Sequence, residues 1–152
     1  EHAHRVAQAL AQVQAYCTEH KLKLTPLRRR VLELLLQENR AIGAYEVLAH
    51  LQAEGMGSQP PIAYRALDFL VSNGFAHRVD HLNAFVACIH PGHEHAPTLL
   101  VCRDCKSVSE APAGLINDAL GRIAKASGFA VDPSSVEVQG VCRDCQETAT
   151  GP

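Results

Sequence analysis

Apolar positions in the first half of the chain recur at helical spacing. Val6, Leu10, Val13 and Cys17 share one stripe and predict a first helix. Thr25-Pro26 reads as an N-cap followed by Pro at the first helical position, opening a second helix with Leu27, Val31, Leu34 and Leu35 inward. A third helix is expected from about Ala44 to Ala53, stopping near Gly55. A fourth starts at Pro61, after the loop Gly57-Ser58-Gln59-Pro60, and ends before Gly74. The pattern then changes. Phe75 to Val79 and Ala84 to Cys88 read as two short strands joined by Asp80-His81-Leu82-Asn83. Helices closed by a hairpin make a winged helix-turn-helix.

The second half mixes strand and helix. Thr98 to Val101 and Ser107 to Glu110 read as strands, and a helix follows from about Pro112 to Ser127. Ile116, Leu120, Ile123 and Ala124 are expected inward on it, with Gly128 as its stop. Val136, Val138 and the run to Cys142 predict a last strand, and Thr148 to Pro152 a loose tail. The fold class is therefore α+β. A winged-helix domain over 1–82 precedes a small α/β domain over 83–152, with a hinge at about 80–84.

Composition narrows this only a little. The 152 residues suit one ordinary domain or two small ones, and 47% hydrophobic content supports a packed core. No run approaches the roughly eighteen apolar residues of a membrane span, and no basic-then-apolar segment opens the chain. A net charge of −2 does not announce a nucleic-acid partner. Its distribution says more: 1–82 holds nine Lys/Arg against eight Asp/Glu, and 83–152 five against eight. Lys21, Lys23, Arg28, Arg29 and Arg30 crowd one stretch, which taken alone is a solvated helix face.

Cysteine spacing carries the strongest chemistry. Cys102-Arg103-Asp104-Cys105 and Cys142-Arg143-Asp144-Cys145 are two C-x-x-C knuckles, and four thiolates brought to one point suit tetrahedral zinc. Two disulfides are the weaker alternative, because nothing in the chain looks secretory. A closed four-cysteine site is structural and leaves no open position for chemistry. A reducing cytoplasm fits this cysteine usage.

A second donor set lies between the knuckles and the hairpin. His77, His81, Cys88, His90, His93, His95 and Glu110 cluster at the junction of the two domains. A metal that regulates must engage both sides of a hinge, so its ligands should come from both. His77, Cys88, His95 and Glu110 make a mixed N, S and O set suited to zinc. Taken singly, His77 is a core histidine beside Phe75 and Val79, Cys88 a small buried hydrophobe, and Glu110 a surface carboxylate. His90 or His93 could replace His95, or join His81 in a third site. The Cys88 thiolate favours zinc over harder Mn²⁺, and iron stays open.

On the fourth helix, Ala63, Leu67, Leu70 and Val71 form the inward stripe and Arg65 falls almost opposite, in the early turns. Recognition helices use such a position, where an outward Arg can grip guanine O6 and N7. An ordinary exposed Arg is the plain alternative. The run Pro60-Pro61-Ile62-Ala63-Tyr64-Arg65-Ala66-Leu67-Asp68-Phe69-Leu70, followed by Gly74-Phe75-Ala76-His77-Arg78-Val79 and the two knuckles, resembles the ferric uptake regulator superfamily from about Leu24 to Cys145. Through Ala44-Tyr45-Glu46 and Arg-Ala-Leu-Asp-Phe-Leu it is most similar to the zinc uptake regulator branch.

That resemblance implies a bacterial, cytoplasmic homodimer that binds palindromic double-stranded DNA when metal-loaded, with the α/β domain as dimerisation domain. It implies Tyr45 and Arg65 as base-reading residues and Tyr64 as a backbone contact, with the run containing Arg28 supplying phosphate contacts. It selects the same regulatory set, His77, Cys88, His95 and Glu110. Two zinc ions per subunit are expected, and a third if His81, His90 and His93 take one. Zinc then acts as co-repressor of zinc uptake genes, with no small-molecule substrate and no membrane. Ile62 departs from the pattern, which commonly has Thr or Ser there. An iron-responsive regulator of the same superfamily is the alternative. A zinc enzyme would need signatures such as H-E-x-x-H, or H-x-E with P-C-x-x-C, which the chain lacks. A zinc-storage protein would leave the Arg65 helix without a use.

Overall fold

The computed structural model describes residues 1–38, 40–88, 97–111, 114–131 and 136–149. The chain forms two compact units, Glu1–Glu94 and His95–Pro152.

The first unit is helical, and its elements follow the apolar stripes. Helix α1 (His2–Glu19) buries Val6, Leu10, Val13 and Cys17, and α2 (Pro26–Gln37) buries Val31, Leu32, Leu34 and Leu35. Leu27 is only partly buried, at the edge of that core. The Thr25 side chain accepts from the Arg28 amide, so the expected N-cap is formed. Helix α3 spans Ala44–Ala53, and α4 spans Pro60–Ser72, with Gln59 as N-cap residue. Ala63, Ala66, Leu67 and Leu70 of α4 enter the same core as Phe75 and Phe85. Strands β1 (Ala76–Val79) and β2 (Ala84–Ala87) then pair antiparallel, Ala76 opposite Ala87 and Val79 opposite Ala84. Their tip is a 3₁₀ turn at Asp80–Leu82, and Asn83 takes the left-handed conformation (φ 49°) that an asparagine tolerates well.

A bridge between Ile42 and Phe85 fastens this wing to the segment before α3. The stretch 80–84, where the sequence suggests a hinge, is thus the tip of a paired hairpin. The division between units falls after the hairpin, because β2 is tied to β1 and to Ile42 by backbone hydrogen bonds.

The second unit is a three-stranded sheet in the order β4-β3-β5 with two helices. Strand β3 (Thr98–Cys102) pairs antiparallel with β4 (Val108–Ala111) and parallel with β5 (Val136–Gly140). The last strand therefore runs alongside the strand that carries the first knuckle. Helix α5 spans Gly114–Ser127. Its expected start at Pro112 lies outside the described residues.

Two expectations need correction. A short helix, α6 (Arg143–Ala149), occupies ground assigned to a knuckle and the start of a loose tail. The inward face expected of α5 is mostly not inward: Ala124 is buried, but Ile123 is 63% exposed and Ile116 sits at the edge of exposure. Leu115, Phe129 and Val131 are exposed beside it, as are Leu100 and Val138 on the sheet. Periodicity locates an apolar face; it does not say whether the chain's own core covers it.

Candidate metal centre and nucleic-acid interface

The parallel register of β3 and β5 builds the metal centre. Cys102 ends β3 opposite Gly140, so Cys142 lies just past the end of β5 and beside the first knuckle. Backbone bonds lock the two turns: the Arg103 amide donates to the Gly140 carbonyl at 2.9 Å, and the Cys102 amide to the Ser107 carbonyl at 3.0 Å. Cys142 immediately precedes α6 and Cys145 lies within its first turn, so the i,i+3 spacing turns both thiols to one side. Cys102, Cys105, Cys142 and Cys145 consequently hold their sulfurs within 4.8 Å of one another.

The geometry discriminates between the candidate bonds. The Cys105 and Cys142 sulfurs are 3.7 Å apart, far beyond a disulfide length. A tetrahedron with Zn–S of about 2.3 Å has edges of about 3.8 Å. The four-thiolate set therefore fits zinc. The Cys142 amide donates to the Cys102 sulfur at 3.3 Å. Backbone amides of Cys105 and Cys142 bring the Cys102 thiol down to about 6, the anionic form that a metal needs. Cys145 is pushed up to about 12, because its hydrogen bond to Cys142 and its partial burial hold the proton in place. A zinc ion held by these four residues would release that proton to solvent and offset the repulsion among the four thiolates.

His77 and Cys88 meet in the first unit. His77 sits on β1, and Cys88 follows β2 with its amide donating to the Phe75 carbonyl at 2.9 Å. Both side chains are buried, at 8% and 5% exposure, and their ligand atoms lie within 4.8 Å of one another. Glu110 is half-buried on β4, opposite Leu99. His95, His90 and His93 lie outside the described residues. His81 sits in the hairpin turn and is exposed.

The helical unit presents a separate polar face. Tyr45 opens α3 at 69% exposure, and Tyr64 is 40% exposed one turn into α4. Their rings meet edge-to-face with centroids 6.5 Å apart, and Arg65 is exposed next to Tyr64. Exposed aromatic and cationic side chains at the starts of two successive helices form a surface for a polar, planar partner.

The turn between these helices is firmly held. The Met56 amide donates to the Leu51 carbonyl and Gln52 Nε2 to the Ser58 carbonyl. Gly57 has φ +148°, and a β-carbon there would lie 2.9 Å from Ile62 Cδ1, so Ile62 packs on a position that only glycine leaves open. Within the basic run, Arg30 is already matched: it makes a two-pronged hydrogen bond to Glu54 at 2.7 and 2.9 Å and also contacts Glu33. Arg28 lies over the Phe69 ring, 3.9 Å from its centroid. Lys21, Lys23 and Arg29 are exposed.

Sequence reasoning missed two of these features. The Arg28–Phe69 stack joins residues far apart in sequence and leaves no local signal. The Gly57–Ile62 contact needs both a positive φ and the packing of α4.

A helix-turn-helix closed by an antiparallel wing, followed by a sheet unit with a four-thiolate centre, defines a metal-binding winged-helix protein. Residues 19–139 match the ferric uptake regulator family, and the chain belongs to that family. It is 35% identical over 139 residues to the zinc uptake regulation protein of Escherichia coli (strain K12), covering 91% of this chain and 81% of that protein. A solved zinc uptake regulator complexed with zinc and DNA matches with a TM-score of 0.89 at 33% identity, over 96% of this chain and 98% of that one. The crystal structure of holo XcZur matches at 0.82 with 38% identity, over 91% and 96%.

Proposed function

We infer that this chain is a zinc-responsive, DNA-binding transcriptional regulator, not an enzyme, with zinc as co-repressor of zinc uptake genes. The observation that carries this is the joining of two things in one chain. One is a helix-turn-helix presenting Tyr45, Tyr64 and Arg65; the other is a zinc-fitting four-thiolate centre. Similarity to zinc uptake regulators over nearly the whole chain supports both. The protein works in the bacterial cytoplasm as a homodimer on a palindromic duplex. The exposed apolar residues of α5 and of the sheet support a dimer held through the second unit.

Cys102, Cys105, Cys142 and Cys145 hold a structural zinc. His77, Cys88, His95 and Glu110 hold a regulatory one; the buried proximity of His77 and Cys88 supports this. Drawing ligands from both units lets zinc favour one arrangement of the DNA-binding helices over others. A shift from mostly open to mostly closed needs on the order of 5 kcal/mol of differential binding. His81 with His90 and His93 remains the candidate for a third ion. Tyr45 and Arg65 read bases and Tyr64 contacts the backbone.

The test is Cys88→Ala, with zinc counted by native mass spectrometry and DNA binding followed as zinc rises. The expected result is a folded dimer with one zinc fewer per subunit and no zinc-dependent DNA binding. A variant that still binds DNA in response to zinc would refute the regulatory assignment.

A further inference from the structure

Arg28 belongs to the basic run that reads as a phosphate-contacting face, yet its guanidinium is committed elsewhere. It lies over the Phe69 ring at 3.9 Å, and its Nη1 donates to the Lys23 carbonyl at 2.7 Å. Its backbone amide is also fixed, donating to the Thr25 side chain. The arginine is half-buried, held by α2 below and by a ring of α4 above. Phe69 in turn packs against Phe75, and Phe75 meets Tyr16 of α1 edge-to-face. A contiguous stack thus runs from α1 through the core to the outer edge of α4.

The place of Phe69 gives this stack a consequence. Phe69 lies four residues after Arg65, on the same face of α4 one turn further along. The buried stripe Ala63, Ala66, Leu67 and Leu70 seats α4 on the core, and a contact that holds Phe69 at its edge restrains the rotation left to the helix, and so the direction in which Arg65 leaves it. We propose that Arg28 is a positioning residue for DNA recognition, setting the rotation of α4 through Phe69 rather than gripping phosphate. This rests on the DNA-binding function inferred above. The guanidinium carbon sits over the ring while Nη1 reaches the Lys23 carbonyl, a pair of contacts that the compact ammonium head of lysine does not reproduce together.

Charge and geometry predict opposite results, which allows a direct test. Zinc-loaded full-length protein is used first to select a preferred duplex from a random-sequence pool. Anisotropy then gives affinity for that duplex and for the unselected pool, across a salt series, for wild type, Arg28→Lys, Arg28→Leu and Phe69→Leu. The expected result is that all three variants lose about tenfold in preference for the selected duplex, the size one such contact supports. Pool binding and the salt slope stay at wild-type values in all three.

The proposal is overturned if Arg28→Lys retains full preference while Arg28→Leu weakens binding to both DNAs and lowers the salt slope by about one, the signature of a lost phosphate contact. A second measurement needs no DNA. Proton NMR of the wild type should show the Arg28 δ-methylene protons shifted upfield by the Phe69 ring, and Phe69→Leu should abolish the shift. Methylene protons at ordinary shifts in the wild type would refute the stack whatever the DNA results. A wild type that selects no duplex, with the upfield shift present, would count against the functional reading and leave the stack standing.

Discussion

Cys102 shows how a single side chain joins folding to chemistry. It ends β3, accepts from the Cys142 amide across the gap between knuckles, and is the thiol most inclined to ionise. Cys102→Ser removes a thiolate and leaves those amides facing a poorer acceptor. Structural zinc supplies folding energy. The variant should therefore lose the four-cysteine zinc and show a clearly lowered melting temperature for the second unit, by calorimetry beside a zinc assay. An unchanged melting curve would contradict a structural centre. The knuckles were legible because C-x-x-C twice is a local spacing. Arg28 was not: its neighbours along the chain are basic, whereas its partner in space is an aromatic ring.

At the scale of the helices, ion pairs to α3 and its C-terminal cap add a pH dependence with a definite sign. The guanidinium of Arg40 holds the Glu46 carboxyl below its usual range, and Arg30 does the same for Glu54. A carboxyl depressed in the folded state adds stability above its unfolded pKa, and this is lost as pH falls through the folded value. The Arg40–Glu46 pair is exposed and screened by solvent, so Arg40→Ala should lower stability only slightly at neutral pH. Its deficit against wild type should shrink to nothing as pH drops below the ordinary carboxylate range, by chemical denaturation at each pH. A deficit that persists in acid would assign the effect to packing.

Elements also divide by how much of them the sequence carried. α1 to α4 bury the stripes that periodicity marks, because one core receives them all. α5 obeys the same periodicity but leaves Ile123 exposed and buries only Ala124, so its apolar face is not covered by a core of its own. α6 is seven residues long and starts inside a knuckle, so ligand spacing masked its helical pattern. If the α5 face meets a second copy, Ile123→Asp should shift the protein toward monomer in sedimentation velocity while leaving its helix content intact. A dimer of unchanged affinity would move the interface elsewhere.

Over the whole molecule, the chain combines a DNA-binding helical unit with a sheet unit that carries a four-cysteine centre. Within the helical unit, Ile62 occupies the space a β-carbon at residue 57 would need, and the Ile42–Phe85 bridge ties down the wing. The proposed regulatory set draws its residues from both units. The first holds the buried His77 and Cys88, and the second holds Glu110 on β4 and the four thiolates. The central claim is that zinc governs DNA binding. It is tested most directly by anisotropy of a labelled palindromic zinc-regulator operator, at fixed salt, across buffered free zinc. The account predicts tight binding that appears only as free zinc rises and reverses on chelation. Binding of equal strength at all zinc levels, or no binding at any, would contradict it.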